Sequence, residues 1–147
     1  MPSTIEFDVT ELPGFDALLR EHGVRFAYLF GSRADGNADE QSDIDIACYL
    51  EGGDPTDRFR RASAAQRALQ RDAPVGVDVV VLNDATPVLR FEATRPSRVL
   101  FCDDEEFRLA LELRWFREYE DYCYRQRQYR AILSQELEER RQCSTGQ

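Results

Sequence analysis

The chain contains no lysine, and every basic side chain in it is arginine. That removes a lysine nucleophile and a P-loop lysine from consideration. Histidine occurs once, as His22 in a Glu-His-Gly sequence, which reads as a helix C-terminal residue rather than a catalytic base. The cysteines Cys48, Cys102, Cys123 and Cys143 are widely spaced and form no Cys-x-x-Cys pair. With a single histidine they do not make a zinc site, and they read as reduced packing residues. No apolar run approaches the roughly 20 residues that a membrane span needs. Met1-Pro2-Ser3-Thr4-Ile5-Glu6 lacks the basic and apolar regions of a signal peptide, so a cytoplasmic location is expected. Positive charge is also in deficit: the formal net charge is −9, which argues against binding a nucleic-acid backbone.

What is present is an ordinary globular composition, with 42% hydrophobic and 11% aromatic residues in 147. This predicts one folded domain over 1–147. Within it, 7–102 reads as a core, and 103–141 as a C-terminal helical segment that packs on that core. The expected fold class is α/β (α+β), a mixed sheet of about four strands flanked by helices.

Residues 9–22 read as an opening helix, with Leu12, Phe15, Leu18 and Leu19 at helical spacing and Pro13 in the first turn. Val24 to Phe30 and residues 43–50 read as strands, the second alternating Ile44, Ile46 and Cys48 against Asp43, Asp45 and Ala47. Between them Arg33 to Glu40 is a short polar segment of one or two helical turns. Thr56 to Arg71 reads as a helix burying Phe59, Ala62, Ala65 and Leu69. Val75 to Leu82 is the strongest strand pattern. Asn83-Asp84 is the expected cap of a helix through about Ala93, and Arg98 to Phe101 a fourth strand. Asp103-Asp104-Glu105 opens a long helix to about Arg141, with Phe107, Leu111, Trp115 and Tyr119 at four-residue steps. Its part beyond Tyr122, with Tyr129, Leu133 and Leu137, has less to pack against and is expected to serve a partner.

Three carboxylates interrupt the strand patterns. Asp43 and Asp45 share a strand face about 6–7 Å apart, and Asp78 is the only charge in Val75 to Leu82. Left unpaired in apolar strands they repel one another, and a divalent cation with oxygen ligands relieves that repulsion. If the two strands are neighbours, the three acids converge as a set for two-metal phosphoryl transfer. Gly31-Ser32, leaving Phe26-Ala27-Tyr28-Leu29-Phe30, supplies a tight turn whose N–H groups approach a phosphate, and Arg33 is a further phosphate contact.

Tyr28-Leu29-Phe30-Gly31-Ser32-Arg33-Ala34 and Ser42-Asp43-Ile44-Asp45-Ile46-Ala47 resemble the minimal nucleotidyltransferases of prokaryotes, a branch of the superfamily with a DNA polymerase β-like catalytic domain. The likeness continues through Val77-Asp78-Val79-Val80-Val81-Leu82-Asn83, Leu89-Arg90-Phe91-Glu92 and Val99-Leu100-Phe101. Arg117-Glu118-Tyr119-Glu120-Asp121-Tyr122 is similar to the tail of the antitoxin branch, and the whole covers most of residues 7–135. The resemblance implies an antitoxin that uses ATP and two Mg²⁺ ions to transfer AMP to a tyrosine of a HEPN-type RNase toxin, in a hetero-oligomer. Carried over by position, Gly31 and Ser32 hold the triphosphate, Asp43 and Asp45 the metals, and Asp78 assists deprotonation of the acceptor. Asp35 departs from the pattern, standing where relatives often carry a basic residue. Alternatives are an antitoxin that only blocks its toxin by binding, and an aminoglycoside-type transferase, for which the chain leaves little room.

Overall fold

The computed structural model describes residues 7–36, 42–95 and 97–145. Four strands, β1 (Val24–Phe30), β2 (Ile44–Leu50), β3 (Val77–Val81) and β4 (Arg98–Cys102), form one sheet in the order β3-β2-β1-β4. β1 runs antiparallel to both β2 and β4, whereas β3 lies parallel to β2. The mixed sheet with flanking helices is the expected architecture.

The helices are α1 (Phe15–Glu21), α2 (Ser32–Asp35), α3 (Pro55–Gln70), α4 (Pro87–Thr94) and α5 (Glu105–Thr145). Each of the later ones begins with a side-chain cap. Asp54 accepts from the Asp57 amide at 2.8 Å ahead of Pro55, and Asp104 accepts from the Phe107 amide at 3.1 Å. At α4 the expectation needs correcting, because the cap is Thr86, accepting from the Leu89 amide at 3.2 Å, and not Asn83 or Asp84. Asn83 instead mimics a strand, its amide bonding both the N–H and the carbonyl of Leu50 at 2.9 and 2.8 Å. Asp84 is held by Arg58.

The opening helix is also shorter than its periodicity suggests. Val9–Glu11 forms a 3-10 turn capped by Asp8, and the α-helix starts only at Phe15. Gly14 between them has φ +71°, a left-handed conformation that no continuous helix passes through.

Two apolar layers sandwich the sheet. Phe15 and Leu19 of α1 and Leu69 of α3 pack with Ile44, Ile46, Cys48 and Leu50 on one face. Ala93 of α4 and Trp115 of α5 pack with Phe26, Tyr28 and Ala47 on the other. The alternation read in β2 is thus the real one. Burial pushes the Cys48 thiol up to about 12, in keeping with a packing role.

Phe59 does not join the core and is 70% exposed, contrary to expectation. The inward positions of the first turns of α3 belong to arginines instead. Arg61 donates to the carbonyls of His22, Glu51 and Gly52, and Arg58 to those of Gly52 and Gly53. Those bonds satisfy loop carbonyls at the sheet's end and rotate Phe59 outward. Among the described residues no helix is long and apolar enough to cross a membrane.

Candidate active site

At the end of β1 the chain turns sharply over the start of β2. Phe30 pairs with Asp45 across the antiparallel ladder, so the next residue, Gly31, lies directly over that carboxylate. Gly31 adopts φ +75°, ψ −154°, a region open essentially to glycine alone. A Cβ here would collide with the Asp45 carboxylate. The glycine is therefore required twice, by backbone geometry and by the acid packed against it.

Ser32 opens α2, a single helical turn closed by the left-handed Gly36. Such a turn presents free N–H groups but little macrodipole, so local amides are what it offers an anion. Arg33 donates from Nε to the Ser42 carbonyl at 2.9 Å, tying the turn to the segment that precedes Asp43. The rest of the polar connection, 37–41, and the side chain of Asp35 lie outside the described residues.

The parallel ladder between β2 and β3 sets Asp45 opposite Asp78. Neighbouring strands are about 4.8 Å apart, so these two acids share one edge of one sheet face. Asp43 stands just before β2, where the Ile44 amide bonds the Gly76 carbonyl at 2.8 Å. Its carboxylate lies against Gly76, whose missing Cβ makes room for it. Asp45 and Asp78 are thus brought together as expected. Asp43 is adjacent but turned toward Gly76, and among the described residues the acids do not close into a cage of ligands. Gly76 escaped the reading of the sequence. Its signal was a glycine inside a strand pattern, which marks a close approach.

Among the described residues no arginine pairs with Asp43, Asp45 or Asp78, although arginine pairs with acids widely elsewhere in the fold. Burial, reinforced by the charges of Asp78 and Asp43, holds the Asp45 carboxyl above its ordinary value. Carboxylate oxygens without an arginine partner, Asp45 half-buried and Asp43 and Asp78 exposed at the sheet edge, are the donor set that a hard divalent cation takes, so the residues fit such an ion. The phenol of Tyr28, one strand away, is spoken for. It donates to Glu112 at 2.5 Å, and Glu112 also receives Arg108 at 2.7 Å. Burial and that carboxylate push its ionisation up, which makes it a structural hydroxyl.

Comparison with known proteins agrees with this fold. The family profile described as polymerase beta, nucleotidyltransferase, matches residues 16–106, spanning β1 through β4. Among curated proteins none matches the sequence. A chain of a solved toxin–antitoxin complex with AMP-PNP is 26% identical, over 82% of this chain and 94% of that one, with a TM-score of 0.59. Two further structures share the fold. A chain of the MntA–HepT toxin–antitoxin complex is 24% identical over 82% of this chain and 92% of its own, with a TM-score of 0.54. A chain from the complex of tri-AMPylated Shewanella oneidensis HEPN toxin with MNT antitoxin is 24% identical over 82% and 91%, also at 0.54. A glycine turn seated on one strand carboxylate, a second acid in register beside it and a profile match across the whole sheet identify the chain as a member of the polymerase β nucleotidyltransferase family.

Proposed function

We propose that this nucleotidyltransferase is an antitoxin that transfers AMP from ATP to a tyrosine hydroxyl of a cognate HEPN-type RNase toxin and so silences it. The observation that carries the reading is the register pairing of Asp45 with Asp78 directly beneath Gly31. The solved complex with AMP-PNP supports the choice of an adenine nucleotide and a toxin partner.

In this reading Asp43, Asp45 and Asp78 hold two Mg²⁺ ions, which when bound neutralise the triphosphate and the leaving pyrophosphate. The amides of the Gly31-Ser32 turn, the Ser32 hydroxyl and Arg33 orient the phosphates. Asp78 accepts the phenolic proton as the tyrosine oxygen attacks the α-phosphorus. One P–O bond forms to tyrosine, the bond to pyrophosphate breaks, and the proton leaves to solvent.

The test is intact-mass spectrometry of the toxin after incubation with the chain, ATP and Mg²⁺. The expected result is a gain of one or more AMP units and loss of RNase activity. Asp45→Asn should slow the gain on the order of 100-fold or more. A toxin silenced without added mass, or silenced equally by the Asp43→Ala, Asp45→Ala double variant, would replace transfer with blocking by binding.

A further inference from the structure

The second half of α5 leaves the body of the molecule. From Arg127 to Thr145 every residue is exposed, a rod of roughly 28 Å at 1.5 Å per residue. It is not a uniformly polar rod. Tyr129 is 59% exposed, Ile132 55%, Leu133 38% and Leu137 57%. A helix segment this short gains little from its own backbone, so a bare apolar stripe along it is unfinished packing.

Two of these apolar residues, Tyr129 and Leu133, lie on a row with the spacing of a helix pair, and Ile132 and Leu137 flank it. Tyr122, Gln126, Tyr129, Leu133, Glu136 and Arg140 follow at alternating steps of four and three, the seam of a helix pair. Charge along the same stretch runs in blocks. Glu120 and Asp121 are acidic, Arg125, Arg127 and Arg130 basic, Glu136, Glu138 and Glu139 acidic, and Arg140 and Arg141 basic. Read backwards, the series of blocks has the opposite sign at each place. Of these charged residues, Asp121, Arg125, Glu136, Glu139 and Arg140 lie on the same side of the helix as Tyr129 and Leu133, so that side is complementary to itself in antiparallel orientation.

We propose that α5 from Glu120 to Arg141 pairs antiparallel with the same stretch of a second copy of this chain. A two-fold axis near Ala131 sets Tyr129 against Leu133 twice, Tyr122 against Arg140, and Gln126 against Glu136. It places Arg125 of one copy beside Glu136 and Glu139 of the other. An isologous interface of this kind is closed, so association stops at two. A partner bearing one sign of charge matches only half of these blocks, which is why a second copy is favoured over a basic or acidic foreign surface. The inference concerns a surface apart from Asp45 and Asp78 and stands independently of the transfer reaction.

The experiment is sedimentation equilibrium of the purified full chain over a micromolar concentration series. The natural chain should be a dimer. Reversal of the basic block, Arg125→Glu with Arg127→Glu and Arg130→Glu, should leave monomers. Reversal of the acidic block, Glu136→Arg with Glu138→Arg and Glu139→Arg, should do the same. An equimolar mixture of the two reversed chains should regain the dimer, because every block then faces its opposite. Far-UV circular dichroism checks that each variant is folded. Should a reversed chain not fold, a mixture of Tyr129→Cys and Leu133→Cys chains tests the same register, with a disulfide-linked dimer expected on oxidation. A monomeric natural chain, a dimer indifferent to either reversal, or a folded cysteine mixture that does not cross-link overturns the proposal.

Discussion

Gly31 concentrates the site's demands in one residue, and a methyl group there is a sharp probe of them. The substitution Gly31→Ala meets a backbone conformation closed to alanine and a carboxylate with no room to spare. Strain of this kind costs about 1–3 kcal/mol, readable as a lower urea midpoint at unchanged slope. Nucleotide transfer should fall by more than stability alone accounts for, because relief of the clash displaces Asp45. Unchanged stability would mean that the turn tolerates the side chain. At this scale the acids were legible in the sequence, since a charge inside an apolar run has few explanations. Asp43's turn toward Gly76 and Arg33's bond to a backbone carbonyl were not, because both depend on contacts across the fold. Phe59 misled for the same reason. Its periodicity competes with two arginines, and helical spacing alone does not say which of them the loop carbonyls will claim.

Elements were read more surely than their ends. Each of the four strands was visible from its branched and aromatic residues, and the place of β3 beside β2 was posed as the condition for a complete acid set. The ladder meets that condition with Asp45 opposite Asp78. Boundaries failed where a local residue overrode a period, as Gly14 does in splitting the first helix and Thr86 in capping α4. The docked half of α5 depends on Trp115, which is buried against Phe26 and Tyr49 with Arg90 over its ring. Trp115→Ala should cost about 3–5 kcal/mol in chemical denaturation followed by far-UV circular dichroism. A cost under ~1 kcal/mol would show that Phe107 and the Tyr119–Phe91 stack, at 3.9 Å between ring centroids, hold this helix without it.

For the whole molecule, composition spoke to what the chain avoids more than to what it meets. A net charge of −9 with no lysine marks a surface ill-suited to nucleic acid, and in the body of the fold several arginines bridge loops and acids. The proposed partner surface was legible only as a helical stretch with too little to pack against, because amphipathic periodicity does not distinguish a buried stripe from a bare one. Continuity of α5 has a hydrodynamic consequence. Its 41 residues make a stiff bar about 61 Å long, of which the distal half drags through solvent without adding mass to the body. Each molecule should therefore diffuse more slowly than a sphere of 17.0 kDa, and its apparent size on gel filtration should exceed its mass from light scattering. Truncation after Gln126 should bring the two measures together, separating the contribution of shape from that of association.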